Sequence, residues 1–159
     1  MTNPDPNSPS RRRQRARRRA VQALYQQEFT GASWTSVQRE FAAERDMQGV
    51  DAEYFAELLQ GVCDRRADLD ERLVPLLDRG LERLDPVERA ILRLAAFELV
   101  ARLEVPWRVV VNEAVNLAKA FGAEQSHRYV NGVLDRLARE EPLRAAEMAR
   151  RGPQRTGGG

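Results

Sequence analysis

Residues 84–100, LDPVERAILRLAAFELV, carry a complete helix start followed by a helical apolar stripe. Asp85 has N-cap chemistry, and Pro86 takes the first helical position, where its missing N–H costs nothing. Glu88 stands where the reciprocal acid of a capping box belongs. Val87, Ile91, Leu94, Ala95 and Leu99 then recur at helical spacing and predict the buried face. Other elements must cover that face.

The rest of the chain repeats the same grammar. A first helix is predicted from about Arg11 to Phe29, with Gly31 as its stop. A short helix follows around Trp34, Val37 and Phe41 and ends before Gly49. Asp51 is the expected N-cap of a helix through Phe55, Leu58, Leu59 and Val62. That helix resumes through Leu69, Leu73, Leu76 and Leu77, where Pro75 should kink or split it. Gly80 marks a stop. Pro106 opens a helix with the stripe Val110, Ala114, Leu117, Ala118 and Phe121, closed by Gly122. The last clear helix places Val130, Val133, Leu134, Leu137 and Ala138 on one side, until Pro142 interrupts. Alternating strands and internal repeats are missing.

The expected fold is all-α, about seven helices forming two small packed bundles around a shared core, with halves meeting near residues 80–85. Residues 1–10, rich in Pro, Asn and Ser, read as a disordered arm. Residues 11–140 form the helical domain, 141–151 a possible helical extension, and 152–159 a disordered tail.

A length of 159 residues suits one domain. No apolar run approaches a membrane span, and the N-terminus lacks the apolar core of a signal peptide. Cys63 is the only cysteine, which rules out an intrachain disulfide and fits a reducing cytoplasm. The chemistry of an enzyme is missing too, with no Gly-rich phosphate loop, no nucleophile elbow and no metal-spaced His or Cys set. His127, the single histidine, is read as capping or ordering the last helix, and Cys63 as a buried, inert thiol. Neither a cofactor nor a metal is expected.

Charge is unevenly placed. The first 24 residues hold seven arginines and one acid, whereas the remainder holds 19 basic and 23 acidic residues. All seven arginines fall within SRRRQRARRRAVQALY, residues 10–25, which runs without a linker into a core helix. At 100° per residue Arg11, Arg12, Arg15, Arg18 and Arg19 share an arc of about 120°, with Tyr25 at its edge. A cationic strip of this kind fits a polyanion. Arg128 and Tyr129, at the start of the last helix, pair a cation with an aromatic ring, which suits a phosphate and an unpaired base. Asn112, Glu113 and Asn116 lie one turn apart opposite an apolar stripe. With Asn131 and the helical Gly132 they suggest a buried asparagine network, and close packing or ligand approach at the glycine.

VPWRVVVNEAVNLAKAFGAEQSHRYVNGVLDRLAR, together with RRRQRARRRAVQALYQ, DAEYFAELLQGV and LDPVERAILRLAAFEL in that order, resembles the NusB family of transcription antitermination factors over roughly residues 11–140. The resemblance implies a non-enzymatic RNA-binding protein that pairs with NusE, a small-subunit ribosomal protein, and binds the single-stranded boxA element of ribosomal RNA leaders. It further implies a place in the RNA polymerase antitermination complex with other Nus factors, and a homodimer when free. By the same resemblance Arg11, Arg12, Arg13, Arg15, Gln125, Arg128 and Tyr129 face RNA, and Tyr25, Glu82 and Glu88 face NusE. Gln125 replaces a more usual Asp, Tyr129 a common Phe and Arg128 a usual Lys, while Arg17, Arg18 and Arg19 lengthen the arm. Two further readings are a module tied to ribosomal RNA modification or maturation, and a self-associating helical protein.

Overall fold

Helix ends fall at the punctuation residues, for local reasons that the geometry shows. The computed structural model describes residues 5–44 and 46–156, with side chains through Arg150. The parts of residues 1–10 and 152–159 at 1–4 and 157–159, read above as disordered, lie outside the described residues. Helix α1 spans Pro9–Thr30, α2 Trp34–Glu44, α3 Ala52–Asp64, α4 Arg66–Leu73, α5 Pro86–Ala101, α6 Trp107–Phe121, α7 Ser126–Glu140 and α8 Ala145–Thr156. No strand occurs among the described residues.

Ser8 caps α1 by accepting the Arg11 N–H at 3.2 Å, so the helix takes in Pro9 and Ser10 and the whole arginine run is helical. Gly31 ends it in the left-handed region at φ 69°, which glycine enters without steric cost. Asp51 accepts the Tyr54 N–H at 3.0 Å, and Asp85 the Val87 N–H at 2.9 Å. The chain breaks between α3 and α4 at Arg65, ten residues before the expected proline. Pro75 instead sits in a 3-10 turn, Val74–Leu76, that finishes α4. At the other end α8 continues to Thr156.

Helix α5 departs most from the sequence expectation. Every residue from Glu88 to Val100 is buried, so it is a central helix enclosed on all sides rather than one with a single covered face. Helices α1, α3, α4, α6 and α7 all pack on it, and α2 covers α1 and α3. Burial brings four charged groups of α5 out of water, and each has a partner, as buried charge requires. Arg89 pairs with Glu28 of α1, and Arg93 with Asp70 of α4 at 2.8 Å. Glu98 pairs with Arg17 of α1 at 2.8 Å. Glu88 accepts the Ser126 hydroxyl at the start of α7 at 2.5 Å. That bond corrects the capping-box expectation, because the Glu88 carboxylate turns toward α7 and not back to its own helix end.

A C-terminal clip closes the α5–α6 corner. Arg144 is 1 % exposed and donates to the carbonyls of Glu98, Leu99, Arg102 and Val105 at 2.8–3.2 Å. It also pairs with Glu147 at 2.7 Å, whose other oxygen accepts the Trp107 N–H at 2.9 Å. A cation thus meets the last carbonyls of α5 and an anion the first N–H of α6, matching both helix dipoles.

Candidate nucleic-acid interface

The arginine run divides into groups with different tasks. Arg11 and Arg18 are exposed, and the Arg18 guanidinium lies 5.0 Å from the Phe121 ring centroid. Arg12, Arg15 and Arg19 each donate to one backbone carbonyl of the α2–α3 loop, those of Val50 at 3.1 Å, Gly49 at 2.9 Å and Asp46 at 3.1 Å. The loop fixes these side chains beside a groove of about 330 Å³ lined by Arg15, Arg18, Arg19, Asp46, Gln48 and Val50. Arg13 is half-buried with its guanidinium 4.3 Å from the Tyr54 centroid.

Arg17 is no part of this surface. It is buried and forks onto Glu98, with Nε at 2.9 and 3.1 Å and Nη2 at 2.8 Å, while the Tyr54 hydroxyl donates to the same carboxylate. Burial favours a neutral guanidine, but the hydrogen bonds and charge of Glu98 outweigh it and raise the Arg17 pKa. Burial first, then the Glu98 charge, pushes the Tyr54 hydroxyl up, so it stays a donor. Extending the arm to Arg17 is therefore corrected. That residue anchors α1 to the core.

The exposed face of α1 is continuous. Arg11, Arg15, Arg18, Gln22, Tyr25 and Phe29 follow one another at steps of three or four residues, and all are exposed or half-buried. The stripe runs for about 27 Å at 1.5 Å per residue. Its first half is cationic and its second aromatic. Tyr25, 41 % exposed, leans on Phe29 with ring centroids 4.8 Å apart. They border a groove of about 520 Å³, which Val21, Phe41, Val87 and Phe121 help to line.

At the α6–α7 turn Gln125 is exposed and left-handed at φ 75°, and its carbonyl accepts the Arg128 N–H at 3.1 Å. Arg128 is exposed and Tyr129 half-buried. The Tyr129 hydroxyl donates to the Asp78 carboxylate at 3.0 Å and accepts the Asp78 N–H at 3.2 Å. Arg79 forks onto the same carboxylate at 2.7 and 3.1 Å, with its guanidinium 5.1 Å from the Tyr129 centroid. The hydrogen bonds from Arg79 and then Tyr129 hold the Asp78 pKa down to about 2. The clamp is thus fully formed above the ordinary carboxylate range and is lost only as pH falls toward that value.

This arrangement of a helical arginine strip, an aromatic groove and a Tyr129 turn coincides with a match to the NusB family over residues 14–139. The chain belongs to the NusB family. The transcription antitermination protein NusB of Halorhodospira halophila is 58% identical over 145 residues, covering 91% of this chain and 93% of that protein. The protein of the same name from Alcanivorax borkumensis is 53% identical over 150 residues, covering 94% and 98%. Among solved structures, T. maritima NusB superposes with a TM-score of 0.72 at 30% identity, covering 89% of this chain and 94% of that one. A crystal structure of antitermination factors NusB and NusE in complex with dsRNA gives a TM-score of 0.71 at 25% identity, covering 80% and 96%.

The remaining expected positions differ in exposure. Glu82 is exposed in the 3-10 turn Leu81–Arg83, whereas Glu88 is 9 % exposed and bound to Ser126. Asn112, Asn116, Asn131 and Gly132 are all exposed, and nothing lies within 4 Å of a Cβ placed on Gly132. The buried asparagine network and internal close approach are thus corrected. Both helices turn these polar residues outward because the apolar stripes of α6 and α7 already fill their contact. Cys63 is half-buried rather than buried, and burial raises its thiol pKa.

Sequence reasoning missed Asp78, Arg79, Glu98, Tyr54 and Arg144. One signal for Arg17 and Arg13 was available, since both fall outside the arc shared by the other five arginines. Among the described residues no helix is long and apolar enough to cross a membrane, and no cluster of His, Cys, Asp and Glu could hold a metal ion.

Proposed function

We propose that this protein is a cytoplasmic, non-enzymatic transcription antitermination factor that binds single-stranded RNA along α1 and a protein partner at the end of the same helix. The continuous stripe from Arg11 to Phe29 carries the reading, because it joins a phosphate-binding half to an aromatic half on one rigid element. Arg11, Arg15 and Arg18 meet phosphates, Arg12 and Arg13 flank them, and Gln125, Arg128 and Tyr129 receive bases beyond the α6 end. Tyr25 and Glu82 contact the partner, and Glu88 acts through Ser126 by holding α7.

The partner is NusE and the RNA is the boxA element of ribosomal RNA leaders, within the RNA polymerase complex formed with other Nus factors. Family membership and the NusB–NusE–dsRNA complex as a structural neighbour support NusE and RNA as partners. Without NusE, the apolar groove beside Tyr25 is the surface through which two copies would associate. Light scattering of the protein alone and with NusE then reports a dimer giving way to a heterodimer.

A gel shift with boxA-like and scrambled RNA, each with and without NusE, tests the reading. Preference for the boxA-like strand, sharpened by NusE, is expected. Equal binding to both would reduce the protein to a general RNA binder. Tyr129→Ala should weaken single-strand binding by about 1–3 kcal/mol, the range for removing one base-stacking ring. Fluorescence anisotropy with a labelled strand measures it.

A further inference from the structure

The stretch between α4 and α5 carries an arrangement that the stripe on α1 does not use. Arg79 and Asp78 are exposed, and an exposed ion pair adds little to stability. This pair nevertheless sits against Tyr129, which is 51 residues away in sequence and belongs to another helix. Asp78 grips the tyrosine hydroxyl through both its N–H and its carboxylate, so the ring is held at its polar edge. The same carboxylate takes Nε and Nη2 of Arg79, which leaves Nη1 without a bond to Asp78. Tyr129 packs against the core, and Arg79 covers its ring from 5.1 Å. Exposed Arg128 adjoins it in the chain.

We propose that Arg79 and Tyr129 form a two-part seat for a single unpaired nucleotide of RNA, with Asp78 as the residue that positions both. The base takes the ring face that the guanidinium now covers. Arg79, swung aside from the ring, takes the adjoining phosphate. Such a seat selects single strands, because a paired base within a duplex has no free face to offer an aromatic side chain. The proposal rests on the RNA-binding reading above and adds Arg79 and Asp78 to it.

The test uses the full chain with a single-stranded RNA and a duplex of equal length, titrated over a range of salt. Arg79→Ala should weaken the single strand about fivefold and reduce the log–log salt slope by about 0.7, the value of one phosphate contact on a single strand. Duplex binding should stay within about twofold, since backbone contacts by the arm are untouched. Arg79→Lys should restore the slope. With 2-aminopurine replacing each base in turn, one position should be quenched by stacking. Tyr129→Ala should abolish that quenching and Asp78→Ala should reduce it, a signal that loss of a merely structural contact would not move. Unchanged affinity and slope in Arg79→Ala, while Tyr129→Ala weakens binding, would overturn the assignment of Arg79 and leave the RNA reading intact. If neither Tyr129→Ala nor loss of the α1 arginines affects binding, the RNA reading itself fails.

Discussion

Replacing Glu98 with alanine should cost about 3–5 kcal/mol of folding stability, the penalty for breaking a buried ion pair from one side. The carboxylate is 1 % exposed and accepts from Arg17 and Tyr54 together. Removing it strands a guanidinium in the core and leaves a tyrosine hydroxyl without its acceptor. Glu98→Gln keeps the shape and part of the hydrogen bonding, so its loss should be smaller. Urea unfolding of the three proteins checks this, and a midpoint unchanged in Glu98→Ala would show that the triad is dispensable. The effect reaches the arm, because Arg17 lies within the arginine run and Arg13 rests on Tyr54. RNA affinity should therefore fall even at temperatures where Glu98→Ala remains folded.

Arg144→Ala should be nearly as damaging, at about 3 kcal/mol or more, because hydrogen bonds to charged groups and buried acceptors left unpaired both count. Four carbonyls at the α5–α6 corner and the Glu147 carboxylate lose their common donor. For a chain of this size that corresponds to a melting temperature lower by roughly 6–12 °C. Arg144→Lys keeps the charge without the planar fork and should recover only part of the loss. Differential scanning calorimetry separates these cases. A variant that melts with the parent protein would mean that the Arg144 contacts at the α5–α6 corner are not integral to the fold.

Both expectations concern residues that the sequence left silent, and the reason is physical. Helix starts and stops are local, so Gly31, Asp51, Asp85, Pro86, Pro106 and Gly122 could be read directly. Partners of buried charge are not local. Arg17 and Glu98 stand 81 residues apart, and each alone looks like one more solvated charge on a helix rich in them. Helix α5 misled for the same reason, since Glu88, Arg89, Arg93 and Glu98 suggest a wet face that the fold encloses.

The candidate interface was legible where residues cluster in sequence and illegible where the fold assembles them. The arginine arc and the Arg128–Tyr129 pair could be read from spacing. The α2–α3 loop carbonyls that orient Arg12, Arg15 and Arg19 could not, because a backbone carbonyl leaves no mark in a residue type. Nor could the Asp78–Arg79 clamp, which lies in a stretch that reads only as a connection. Arg17 shows the limit most clearly. Composition places it in the arm, and its helical angle places it in the core.

The α1 strip itself is tested most directly by the salt dependence of single-strand RNA binding, measured for the protein and for a variant with Arg11, Arg15 and Arg18 changed to alanine. Arg12, Arg19 and Arg17 are kept so that two of the three arginine bonds to the α2–α3 loop, and the anchor to the core, remain. At about 0.7 per phosphate contact, the log–log slope should fall in magnitude by about two, and affinity at low salt should drop with it. An unchanged slope in a variant that melts like the parent would contradict the assignment of this face of α1 to RNA.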